Sequence, residues 1–152
     1  MIAAFSIAGI PMITLAPAPT ASRQYQRLFS IGARTAPPLM LASTISYSYL
    51  AFASRNFAPD INFLGIPAKM ALYASAAALI LSTIPFTTLV MHPGVNDRLR
   101  ELAGAVEREG KVNVREGELE GLWRKWRALN GMRAGFVGLG MLAGAVATIV
   151  LR

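Results

Sequence analysis

The chain contains no cysteine, which excludes disulfides, thiolate nucleophiles, iron–sulfur clusters and cysteine-ligated zinc. It has a single histidine, His92, which argues against a multi-histidine haem or di-iron site. Charge is scarce as well: 15% of residues are charged, where globular domains carry roughly a quarter. Of the eight acids, Asp60 stands alone in a loop and the other seven fall between Asp97 and Glu120, a distribution that disfavours a carboxylate-only metal site. Gly138, Gly140 and Gly144 miss the dinucleotide fingerprint and lie inside an apolar run, so no nucleotide loop is present.

What remains is apolar. Hydrophobic residues make up 54% of the 152, enough chain for one compact unit and too little for two ordinary domains. The mean hydropathy is +0.45, a balance expected of a membrane protein. The net charge of +7 does not point to nucleic acid, because the basic residues are not interleaved with exposed aromatics on a soluble domain. Attraction to anionic lipid on one side of a bilayer accounts for them better.

Four apolar stretches read as membrane spans, at about residues 1–19, 36–54, 67–91 and 131–151. No basic stretch precedes the first and further spans follow it, so it reads as a transmembrane helix rather than a cleaved signal. The polar patch "TASRQYQRLFSIGAR" separates the first two spans, and the loop "RNFAPDINFLG" the next two. Pro85 removes a backbone hydrogen bond in the third span and predicts a kink near Thr83 to Phe86. Residues 94–128 hold most of the charge and read as one or two amphipathic helices at the membrane surface. The expected fold is thus all-α: a four-helix transmembrane bundle with a charged amphipathic segment between spans three and four, in one integral membrane domain over 1–152. Arg23, Arg27 and Arg34 lie between the first two spans, and the eight basic residues from Arg98 to Arg127 between the last two. The opposite side holds Arg55, Lys69 and Arg152, so the positive-inside rule places both basic loops in the cytosol and both termini across the membrane. The organelle stays open.

Polar residues within or beside the spans are the candidate site. Trp126, Asn130 and Arg133 stand at i, i+4 and i+7, on one helical face at the threshold of an uncharged run from Ala134 to Leu151. Arg133 either snorkels to the headgroups or faces a polar cavity. His92 reads equally as an interfacial histidine at the exit of the third span or as a functional group. Asn96 fits the N-cap of the charged helix that follows. Trp126 and, more so, Trp123 suit an interfacial aromatic belt. The hydroxyls of the second and third spans suit bonds between helices or back to their own carbonyls. Gly131 with Gly135, and Gly140 with Gly144, form small-xxx-small pairs suited to close helix packing, and self-association stays open.

Taken in order, these residues form a pattern. Tyr25 precedes Gly32 by seven, and Pro37-Pro38 leads into a span with Tyr47 and Tyr49. Pro85-Phe86-Thr87 follows, then Met91-His92-Pro93 with Asn96, and finally Trp126, Asn130 and Arg133. The pattern resembles the anthrone oxygenase family, small four-span membrane proteins of aromatic polyketide pathways, over nearly the whole chain. In that family a tryptophan is common at the position of Tyr25, a tyrosine at that of Phe29 and a histidine at that of Asn130, while "PGVN" is one residue longer than the family's Pro-Thr-Asn.

The resemblance implies oxidation of an anthrone to an anthraquinone, with O2 as co-substrate and without metal or flavin. Such chemistry needs a base to make an electron-rich anion, donors to hold its oxygen, and an apolar cavity for a flat, lipid-soluble polyketide. Histidine is the residue type that exchanges protons near neutral pH, which makes His92 the candidate base. Arg133 and Asn130 would hold the enolate or phenolate oxygen. Trp126, Tyr47, Tyr49, Thr87 and Asn96 would contact the rings. The rival reading is a non-enzymatic membrane scaffold whose polar face docks a partner subunit. A transporter is disfavoured by the lack of a buried acid or an inverted repeat.

Overall fold

A computed structural model describes residues 9, 12–13, 15–56, 62–63, 66–110 and 117–149. The expected first span lies largely outside the described residues, as do much of the loop 55–65 and the stretch 111–116. Among the described residues the architecture is all-α apart from one two-residue ribbon, in which β1 (Asn62–Phe63) pairs antiparallel with β2 (Ile66–Pro67).

Helix α1 (Ala18–Ala53) is 36 residues long and runs through both the polar patch and the second expected span. The helix therefore does not begin near residue 36. The patch carries a helical apolar face of its own, Ala21, Tyr25, Leu28 and Phe29, and burial of that face overrides its polar composition. Pro37 and Pro38 lie inside α1 without ending it, although neither can donate to the preceding turn.

Helix α2 (Ala68–Leu81) stops at Ser82 and is followed by a single turn, Thr83–Phe86. The proline nitrogen of Pro85 cannot donate to the carbonyl four residues back, at Leu81, so the disruption predicted near Thr83 to Phe86 falls at Ser82. Thr87–Asn96 then continues as a π-helical segment containing Pro93, and runs directly into α3 (Asp97–Glu109). Two expectations change here. His92 lies inside a continuing helix rather than at its exit. Asn96 has helical torsions (φ −66°, ψ −42°) and no capping side-chain bond, because a helix that never stops offers no free N-terminus to cap.

Helix α3 buries Leu99, Leu102, Ala103 and Val106 at i, i+3, i+4 and i+7 and exposes its charges. It ends at Gly110, whose left-handed φ of 69° lets its N–H bond the Val106 carbonyl. Helix α4 (Glu118–Ile149) is unbroken, so the last part of the surface segment, from Glu118, and the fourth expected span are one helix. Arg98 on α3 ties the two together by pairing with Glu118 at 2.8 Å.

Among the described residues, two helical stretches are long and apolar enough to cross a membrane, Ala68–Glu109 and Glu118–Ile149, with windows of mean hydropathy 1.7 and 1.5. The chain divides into two compact units, one of Met1–Thr35 with Pro85–Ala134, the other of Ala36–Ile84 with Gly135–Arg152. The first unit packs around Tyr25, Met91, Val95, Leu99, Trp123 and Trp126. In the second, Ala51, Tyr73 and Ala147 form a small buried cluster flanked by Tyr47.

Candidate functional site

The first unit gathers its aromatic and polar side chains around one phenol. Tyr25, 1% exposed, meets Trp123 edge-on at 5.2 Å, Trp126 at 6.0 Å and Phe29 at 5.9 Å between ring centroids. Its hydroxyl donates to Asn96 Oδ1 at 3.3 Å. Burial pushes the phenol above its ordinary range, while the Trp126 indole N–H bonding to it acts in the opposite direction. Tyr25 is thus a neutral donor near physiological pH, unsuited to act as a base. With its oxygen engaged by Tyr25, the Asn96 amide presents its nitrogen as the remaining donor.

Helix α4 supplies the other side chains of this cluster. Trp123, Trp126 and Asn130 are all buried along one face, with Arg133 following on the next turn. The burial of Trp123 at 4% exposure corrects its expected place in an interfacial belt: Tyr25 and the π-helical segment cover it. Arg133 directs Nη1 at the Met91 sulfur, 3.8 Å away, and its Nε is buried without a hydrogen-bond partner among the described residues. A buried donor left unmade costs about 1–3 kcal/mol, so its retention calls for an explanation beyond packing.

His92 takes a different direction from its neighbour Met91. Its ring meets Phe29 edge-on at 6.3 Å, and its Nδ1 lies 3.3 Å from Asp97 Oδ1. Phe29 also contacts Tyr25, so one ring separates His92 from the buried cluster. Thr87, half-buried, opens the π-helical segment.

Asn96, Trp126, Asn130, Arg133, His92 and Thr87 therefore all belong to the first unit. Tyr47 and Tyr49 belong to the second. Tyr47 stacks on Tyr73 at 6.2 Å and covers Gly144, and Tyr49 is 68% exposed. Tyr25, Phe29 and Asp97 join the site without having been expected as site residues. Tyr25 and Phe29 stand at i and i+4 on the apolar face of the patch, a spacing visible in the sequence but overshadowed by its polar composition.

The chain is thus a helical protein with membrane-length apolar helices and a buried cluster of aromatic rings and amides beside a half-buried guanidinium. The chain belongs to the anthrone oxygenase family, whose profile matches residues 25–143 and so begins at Tyr25 itself. It is 31% identical to the anthrone oxygenase encC of Aspergillus fumigatus over 84% of this chain and 67% of that protein. The monooxygenase hypC of Dothistroma septosporum is 30% identical over 82% of this chain and 61% of its own length. The anthrone oxygenase tpcL of Aspergillus fumigatus is 28% identical over 91% and 78%. The chain thus spans about two thirds of the length of the first two of these relatives. No solved structure matches it.

Proposed function

We propose that the protein is a membrane oxygenase that converts an anthrone-type aromatic polyketide to an anthraquinone with O2, using no metal or flavin. The observation that carries this reading is the half-buried Arg133, whose Nε is buried with no hydrogen-bond partner among the described residues, on the helix that also buries Trp126 and Asn130. A cation and amide donors preorganised among aromatic rings stabilise an oxygen that becomes anionic during reaction. Membership of the anthrone oxygenase family supports the substrate class, and the lack of cysteine with a single histidine supports the cofactor-free route.

In this mechanism His92 accepts a proton from the methylene carbon of the central ring. The C–H electron pair stays on the substrate as an anion, delocalised onto the ring oxygen that Arg133 and Asn130 hold. The anion reduces O2 directly. One oxygen atom enters the ring as the new carbonyl, and the other leaves as water with the two hydrogens of the methylene group. Trp126, Asn96 and Thr87 would contact the rings, with the covered rings of Tyr25 and Trp123 packed behind Trp126.

The same reading makes the chain a single integral membrane domain of four spans, with basic loops cytosolic and both termini opposite. A lipid-soluble substrate gives an enzyme of this kind reason to reside in a bilayer. Labelling that found Arg34 and Lys111 on opposite sides of the membrane would refute the topology. The chemistry is tested on purified chain in lipid nanodiscs with anthrone as probe, following anthraquinone formation beside metal and flavin analysis. Turnover above the buffer rate without stoichiometric iron, copper or flavin is expected; no turnover, or turnover only with such a group bound, would overturn the proposal.

A further inference from the structure

The π-helical segment brings together a pair that an α-helix would keep apart. Five residues of α-helix rotate by about 500°, which leaves positions i and i+5 about 140° apart on the surface. In π-type turns the backbone bonds from i to i+5 instead, and residues five apart share a face. Here the N–H of Asp97 bonds the carbonyl of His92, and the carboxylate Oδ1 of Asp97 lies 3.3 Å from His92 Nδ1. Backbone and side chain therefore join the same two residues. Pro93, which has no N–H to give to a regular ladder, lies in the same wide turn. Single wide turns of this kind recur at functional sites.

We propose that Asp97 is the positioning residue for His92: its carboxylate accepts the Nδ1–H and thereby leaves Nε2 as the nitrogen that takes the substrate's proton. The catalytic consequence rests on the oxygenase reading above, whereas the tautomer does not. An imidazole with both nitrogens free samples two tautomers and many ring orientations, and only one presents the basic nitrogen correctly. Phe29, edge-on to the ring, restricts its rotation from α1, and the Arg100 guanidinium sits 5.5 Å from the same Phe29 ring. When Nε2 takes the proton, the imidazolium that forms carries two N–H groups, one of them already held by Asp97. The pair thus supplies both the orientation of the base and a counter-charge for its protonated state.

Because His92 is the only histidine, full-length chain labelled with ¹⁵N-histidine shows two imidazole nitrogens and no others. Once the pH has been raised until the spectrum shows a neutral imidazole, the wild type should show a protonated Nδ1 and an unprotonated Nε2. Asp97→Ala should move the signals toward the Nε2–H form and lower kcat on anthrone by about tenfold or more, below the 10²–10⁴ that a positioned base contributes. Asp97→Asn, which keeps an acceptor oxygen, should retain the wild-type tautomer and most of the rate. A wild-type ring protonated at Nε2, or a tautomer unmoved in Asp97→Ala, would overturn the proposal. If Asp97→Ala fails to fold, the wild-type and Asp97→Asn spectra still decide. A wild type inactive on anthrone would end the oxygenase reading while leaving the tautomer to judge the pair.

Discussion

The two units of the molecule treat their polar groups differently. In the unit built from Ala36–Ile84 and Gly135–Arg152, hydroxyls bond mainly to their own helices: Ser43 to the Leu39 carbonyl, Ser46 to Ala42 and Thr83 to Ile80. Such bonds close locally and leave the helix exterior apolar. Leu39, Ile45, Phe52, Leu142 and Ile149 are all more than half exposed there, as lipid-facing residues would be. In the unit built from Met1–Thr35 and Pro85–Ala134, Thr35 and Thr88 also bond back to their own turns, but other polar groups reach beyond their helices. Tyr25 bonds an amide 71 residues away, and Ser22, Gln26 and Arg133 each bury a polar atom with no partner among the described residues. In the other unit Thr44 is the one described residue that buries such an atom, so the difference is one of degree: the unit around Tyr25 holds more donors and acceptors in reserve, which is what a binding site requires.

That contrast can be broken from either side. The largest expected stability effect is Gly144→Ala in the unit of mainly local bonds. A Cβ built on Gly144 overlaps the Tyr47 ring, so the ring must swing off Tyr73. Overpacking of this kind costs about 1–3 kcal/mol. The melting temperature should fall while turnover per folded molecule stays unchanged, and a selective loss of turnover would instead place the chemistry in this unit. Tyr25→Phe should cost about 1 kcal/mol, because it leaves Asn96 Oδ1 without its donor.

Tyr25 also gives the contrast a pH dependence. Its folded-state pKa is raised by burial, so its contribution to stability is complete below the ordinary tyrosine value near about 10 and is lost as pH rises further. Alkaline titration of folded protein at about pH 11 should show the same phenolate absorbance for wild type and Tyr25→Phe. A deficit of one tyrosine in the variant would mean that the phenol is open to water. The smallest effect is Ser46→Ala, whose hydroxyl serves only its own turn and is exposed; a change within about 0.5 kcal/mol is expected in chemical denaturation.

The contrast was half legible in the sequence. The apolar runs reveal helices of membrane length because hydropathy over such a window is a strong and local signal, and the i, i+4, i+7 face of Trp126, Asn130 and Arg133 emerges from the same periodicity. The extent of the helices was hidden. Ala21, Tyr25 and Phe29 lie within a patch whose arginines and glutamines suggest a loop, and only tertiary burial turns it into helix. The Asn96 amide shows the same limit. Asparagine before a charged helix is a sound capping signal, but a wide turn carries the helix through it, and the amide is spent on Tyr25 instead. Nor could the sequence pair His92 with Asp97, since five residues apart is an unfavourable spacing on the α-helix that periodicity assumes.

The central claim is that Arg133 belongs to a reaction site and is not a headgroup anchor. The most direct measurement compares kcat of wild type and Arg133→Leu on anthrone, each normalised to folded protein, with exposed Arg124→Ala as the control. Losing a donor to a developing oxyanion costs about 10²–10³-fold in rate, so Arg133→Leu should lose at least about tenfold while Arg124→Ala keeps its activity. An Arg133→Leu protein that expresses normally and retains full turnover would contradict the account and return the arginine to the membrane surface.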